Sequence, residues 1–250
     1  MGKLIRWMRT HWTVIILSAV SAVLLAAVIV LICLLCRKDT QETPSYYDQK
    51  CFSFAIQNTN LSKGQIVFIG DSITDLYALD DHYADLPLAA YNRGIGGDTT
   101  GGVLARLEGS LLELQPDTVV LMIGTNDVNG GIEDETILTN YTAILDKIRA
   151  GIPGVQIYCI SMIPQNKQLE TYTTINVDAS MERIQKLNPR IRALAEEKGA
   201  VYLDLYPLLL DENGYLRQDC SDDGIHLNSK GLQVWTDLLK PYLQVRHPSR

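Results

Sequence analysis

Ser72 stands where the apolar run Ile66-Val67-Phe68-Ile69 meets Gly70-Asp71. Such a run reads as a buried strand. The turn after it lifts one hydroxyl to the strand's carboxyl end, where ligands bind in open α/β sheets. A serine there acts as a nucleophile only if the chain also supplies a base, an acid to orient that base, and donors for a developing oxyanion. Asp223 and His226, in Asp222-Asp223-Gly224-Ile225-His226-Leu227, have the types for the first two. Three residues apart in a short turn, the carboxylate meets one imidazole nitrogen and leaves the other for a serine. The same pair serves equally as a capped turn at the surface, so it does not decide the matter alone. Of the four histidines, His11 borders an apolar run, His82 lies in a polar segment and His247 in the tail. His226 is the best-placed base by elimination.

Two further loops offer oxyanion donors. In Asn92-Arg93-Gly94-Ile95-Gly96-Gly97-Asp98-Thr99-Thr100, glycines let the backbone approach a ligand closely, and the Gly97 N–H is a candidate donor. A glycine turn that meets no ligand is the alternative. Gly94-Ile95-Gly96 also resembles the start of a dinucleotide fingerprint, but Thr99 stands where its third glycine is required. In Gly124-Thr125-Asn126-Asp127, the Asn126 side-chain amide is a second donor, with an Asx-turn or helix cap as the plainer role. Asp71 is placed to cap the turn that carries Ser72.

These loops need a scaffold that brings strand ends together. Strand-like runs occur at Gln65–Ile69, Leu88–Asn92, Thr118–Ile123, Gln156–Ser161 and Val201–Asp204. Helix-like segments fall between and after them, at about Asp75–Ala84, Thr100–Leu114, Glu135–Ala150, Ala179–Lys198 and Ser229–Val245. Strands alternating with helices predict an α/β fold, with one parallel five-stranded sheet and helices on both faces. Met162 to Val177 is a long polar connection holding Tyr172, expected to border the pocket or to run as a surface loop.

The 250 residues allow one ordinary domain and an appendage. The first 38 hold five basic residues (Lys3, Arg6, Arg9, Arg37, Lys38) and no acid, so the overall net charge of -7 becomes -12 beyond them. An acidic domain is a poor partner for nucleic acid, which is bound by Lys and Arg. The five cysteines form no metal-ligand pattern, although Cys51 and Cys220 would be available to pair outside a cell. Asp211-Glu212-Asn213-Gly214 lacks the spacing of a calcium loop and reads as a polar turn.

Thr13 to Leu35 carries no charge, which predicts a transmembrane helix. A cleavable signal peptide is the competing reading, but the run is long for one and no small-residue cleavage site follows. Bulky Ile32 and Leu35 before Cys33 and Cys36 argue against a lipoprotein site. The expected organisation is a basic segment at 1–12, a crossing helix at 13–35, a linker at 36–63, a catalytic domain at 64–245 and a tail at 246–250. Trp7 and Trp12 suit a membrane interface, and the positive-inside bias slightly favours a domain on the extracytoplasmic side.

Four blocks in this order resemble the SGNH (GDSL) hydrolase family. They are Gly70-Asp71-Ser72, Gly97 within Gly96-Gly97-Asp98-Thr99, Gly124-Thr125-Asn126-Asp127, and Asp223-Gly224-Ile225-His226. The resemblance spans about residues 64–245, and Asn92 to Thr100 is most similar to the platelet-activating-factor acetylhydrolase branch. It implies a flavodoxin-like three-layer α/β/α sandwich and a serine esterase needing no metal or organic cofactor. It further implies Ser72 as nucleophile, His226 as base, Asp223 as its orienting acid, and an oxyanion hole of the Ser72 and Gly97 N–H groups with Asn126. The expected substrate is a short-chain acyl ester of a carbohydrate or lipid. A lysophospholipase, or an inactive module binding acyl sugar or lipid, stands as the alternative.

Overall fold

Burial on both faces explains why the strands are continuous apolar runs. β1 (Ile66–Gly70) and β3 (Thr118–Met122) are buried at every position, as expected for parallel strands covered by helices above and below. The computed structural model describes residues 1–35, 44–169 and 174–244. With β2 (Ala90–Gly94), β4 (Gln156–Ile160) and β5 (Val201–Leu203) they form one sheet in the order β2-β1-β3-β4-β5, every neighbouring pair parallel. That is the flavodoxin-like order, and its direction of winding reverses at β1 and β3.

Alternate residues of each strand face opposite layers. Val67, Ile69, Val119 and Leu121 pack against α6 (Thr100–Ser110), α8 (Asp134–Gly151) and α9 (Val177–Glu197) through Leu107, Ile144 and Leu187. Ile66, Phe68, Val120 and Met122 pack on the other side against α10 (Ser229–Leu243) and the short helices α4 (Ser72–Asp75) and α5 (Leu79–Tyr83). Phe68 sits among Tyr77, Tyr83 and Trp235, with ring centroids 5.3 to 6.3 Å away. The helix expected at Asp75–Ala84 is thus two short pieces. The second, α5, is tied to α10 where Tyr77, Tyr83, His82 and Thr236 share hydrogen bonds. His82 is thereby structural.

The chain divides into a unit at Met1–Pro44 and a larger one at Ser45–Arg250. The first holds α1 (Gly2–Thr10) and α2 (Trp12–Leu35). The expectation of a transmembrane helix at Thr13–Leu35, with the membrane as partner, is corrected. The segment is helical, but among the described residues no helix is long and apolar enough to cross a membrane. The expected placement of the domain beyond a membrane presupposes that helix. Arg37, Lys38, Tyr172, His247 and the tail at 246–250 lie outside the described residues.

The larger unit begins with α3 (Tyr46–Asn58), where the sequence suggested a linker. Ser45 and Asp48 form its capping box, and Phe54 is buried. Cys51, Cys159 and Cys220 are free thiols.

Candidate active site

Ser72 is the first residue of α4, immediately after β1. Asp71 Oδ1 accepts the Ile73 N–H at 3.0 Å and so caps the turn from strand to helix. The Asp71 carboxyl is wholly buried, and burial pushes it up to about 7 against the Ile73 hydrogen bond, with Asp98 and Asp127 adding to the rise. The turn demands a close approach at β2. A Cβ on Gly94 would lie 2.2 Å from the Asp75 backbone nitrogen, so only glycine lets the second strand pass under α4.

The structure brings the five expected residues together. His226 Nε2 lies 2.8 Å from Ser72 Oγ, and His226 Nδ1 lies 2.6 Å from Asp223 Oδ2. The other Asp223 oxygen accepts the N–H groups of Ile225 and His226 at 2.9 and 2.8 Å. Burial raises the Asp223 carboxyl, but the hydrogen bonds from the His226 ring and then these two N–H groups outweigh it and hold the pKa below the ordinary value. An ionised carboxylate only accepts, so Nδ1 must carry the proton and Nε2 turns its lone pair to Ser72.

Ser72, Gly97, Asn126 and His226 line one pocket of about 360 Å³ with Asn129, Ile175 and Ile225. Ile175 belongs to the long connection after β4. A larger hollow of about 670 Å³ lies between α3, α5 and β2. It is lined by no serine, cysteine or histidine, so the smaller pocket is the one equipped for acyl chemistry. Ser72, in α4, and Asn126, in the short helix α7 (Thr125–Asn129), follow β1 and β3, the strands at which the sheet's winding reverses. Asn126 donates one amide N–H to the Asp98 carbonyl at 2.8 Å. Gly97 has φ +80, a left-handed conformation suited to glycine, and nothing lies within 4 Å of where its Cβ would be. Among the described residues the N–H groups of Ser72 and Gly97 have no protein acceptor.

Behind these residues lies a buried polar frame that the sequence did not reveal. Arg106 reaches from α6 to Asp98 Oδ2 at 2.7 Å and to the Gly70 carbonyl at 3.0 Å, with both side chains of the pair almost fully buried. It thereby joins the glycine loop to the end of β1. Asp127 accepts from the Thr100 N–H and hydroxyl at 2.9 and 2.5 Å, joining the third loop to the start of α6. Burial raises the pKa of both Asp98 and Asp127, and the Arg106 and Thr100 contacts respectively oppose that rise. Replacing Arg106 with methionine strands Asp98 as an uncompensated buried charge, so the domain is expected to lose about 3–5 kcal/mol of stability. Denaturant unfolding of the two proteins measures this. An unchanged midpoint would show that Arg106 does not support the loop.

The model of the GDSL-like Lipase/Acylhydrolase family matches residues 68–234. The chain belongs to this family. It is an ester hydrolase of that group. Among curated proteins, the Platelet-activating factor acetylhydrolase IB subunit alpha1 of Pongo abelii is 32% identical over 171 residues, covering 67% of this chain and 70% of that protein. A Streptococcus pneumonia structure, proposed to be a platelet activating factor, is 28% identical with a TM-score of 0.74, covering 87% of this chain and 98% of its own. A GDSL-like lipase from Bacteroides thetaiotaomicron shares the fold at a TM-score of 0.68 and 23% identity, covering 78% of this chain and 97% of its own.

Proposed function

We propose that this family member hydrolyses short-chain carboxylic esters, O-acetyl esters above all, with Ser72 as nucleophile. The observation that carries the reading is the chain of contacts from Asp223 through His226 to Ser72, 2.6 and 2.8 Å long. In it, Nε2 takes the Ser72 proton as Oγ attacks the ester carbonyl. Asp223 stabilises the imidazolium that results. Negative charge then grows on the former carbonyl oxygen, where the Ser72 and Gly97 N–H groups and the Asn126 amide meet it. The imidazolium returns its proton to the departing alcohol, and a water molecule repeats the sequence on the acyl-serine.

Pocket size and lining support a short acyl group. About 360 Å³ must hold both ester halves, and Ile175 and Ile225 are its apolar side chains. The name of the curated relative, an acetylhydrolase, points the same way. Lysophospholipid hydrolysis drew its appeal from a membrane-anchored chain and loses that support without the crossing helix. A pure binding module would have no use for a nucleophile, base and acid in contact.

Incubation with a fluorophosphonate probe tests the reading. Mass spectrometry is expected to find one adduct, on the peptide bearing Ser72, and none on Ser72→Ala. Equal labelling of the two proteins, or an adduct elsewhere, would remove Ser72 from the nucleophile's role.

A further inference from the structure

α3 lies wholly before the residues that the family model matches, yet it reaches the glycine loop. Tyr46 Oη donates to Asp75 Oδ2 at 2.5 Å, and Lys50 Nζ meets Asp75 Oδ1 at 2.7 Å. The Gly96 N–H donates to the same Oδ2 at 2.9 Å. Asp75 closes α4, the helix that Ser72 opens, and Gly96 directly precedes Gly97. One carboxylate therefore links the helix of the nucleophile to the loop of the oxyanion donor. A Cβ on Gly96 would find the Tyr46 ring at 3.6 Å, Asp75 Oδ2 at 3.7 Å and Ser72 Cβ at 3.9 Å, so the three elements converge there.

The contacts are those of a rigid joint. The Asp75 side chain is only 11% exposed, so its charge depends on these partners. The hydrogen bond to Asp75 pushes the Tyr46 hydroxyl up to about 12, which keeps it a donor at any ordinary pH. Further along α3, Asn58 and Gln57 hold the Arg93 guanidinium at 3.0 Å each, and Tyr47 reaches the Gly102 carbonyl at 3.0 Å. The helix is thus fastened to β2 and α6 on either side of the glycine loop.

We propose that Asp75 is a positioning residue for ester hydrolysis. Its carboxylate sets the distance between Ser72 and the Gly97 N–H, and Tyr46 and Lys50 of α3 hold that carboxylate in place. With the Gly96 nitrogen fixed, few dihedrals separate it from the Gly97 N–H. A displacement of the order of 1 Å at such a donor costs about 100-fold in rate. The proposal rests on Ser72 as nucleophile and Gly97 as oxyanion donor.

The test uses the full chain and p-nitrophenyl acetate, with kcat, KM and the thermal midpoint measured for each variant. Asp75→Ala is expected to lower kcat by about 100-fold with KM within about threefold of wild type. Asp75→Asn keeps an acceptor for the Gly96 N–H and is expected to recover most of that loss, which a merely structural contact would not require. The double variant Tyr46→Phe with Lys50→Met leaves Asp75 in place, and about a tenfold fall in kcat is expected. It serves as the deciding measurement if Asp75→Ala does not fold. Wild-type kcat per folded molecule in the double variant, whatever its midpoint, would overturn the proposal. Ser72→Ala, assayed alongside, separates the two readings. If it retains activity, the nucleophile assignment fails. If it is inactive while the α3 variants match wild type, only the joint fails.

Discussion

Replacing His226 with alanine is expected to lower ester turnover by about 10⁶-fold, and replacing Asp223 with asparagine by about 10⁴-fold, with KM little changed. The first value follows from the 2.8 Å contact of Nε2 with Ser72 Oγ, which makes His226 the group that takes that proton. The second follows from how Asp223 is held. Its Oδ1 accepts two backbone N–H groups, so an asparagine keeps its oxygen there and turns its NH₂ toward His226 Nδ1. A donor facing Nδ1 forces the ring proton onto Nε2, where it blocks acceptance from Ser72. Steady-state kinetics on an acetyl ester measure both losses. The double variant should fall no further than His226→Ala, because residues acting as one unit are not additive. A loss below tenfold at either position, or additive losses in the double variant, would break the assignment of these two to a single relay.

The fold was largely legible in the sequence because buried parallel strands leave a plain trace. Ile66 to Ile69 and Thr118 to Met122 are apolar throughout, and the structure covers both faces. β2 is harder to bound. It lies at the sheet's edge, carries Asn92 and Arg93, and runs two residues later than its apolar pattern suggests. The long helix expected at Thr100–Leu114 ends at Ser110, and a short 3₁₀ turn, Leu112–Leu114, completes it. The apolar run at Thr13–Leu35 was read on charge and length alone, and the crossing role assigned to it does not stand. Candidate residues whose chemical type stands out near a strand end or before a helix were legible, as Ser72, Asn126 and His226 were. Those that act through a distant backbone were not. Arg106 looks like an ordinary charge on a helix, and nothing local shows that it is almost fully buried against a carbonyl 36 residues away. Tyr46 and Lys50 meet Asp75 across 29 and 25 residues, from a helix that reads as part of a linker.

Asn126→Ala is expected to lower kcat by about 10²–10³-fold while leaving KM nearly unchanged. One amide N–H of Asn126 is committed to the Asp98 carbonyl at 2.8 Å. That bond fixes the plane of the side chain and leaves its second N–H for the pocket shared with Ser72 and Gly97. Asp98 is in turn gripped by Arg106, so the donor is aimed before substrate arrives and need not reorganise as charge develops. The ground-state carbonyl carries little charge, which is why substrate binding should scarcely notice the loss. Asn126→Asp is the sharper variant. It keeps the shape, loses the donor and sets a carboxylate oxygen against both the Asp98 carbonyl and the oxyanion, so its kcat is expected to fall below that of the alanine variant. An alkyl boronate, whose tetrahedral adduct with Ser72 carries the same negative charge, should lose affinity in parallel with kcat across the two variants. If boronate affinity holds while kcat falls, Asn126 is acting on a step other than oxyanion formation, and the Ser72 and Gly97 N–H groups would be left as the whole of the hole.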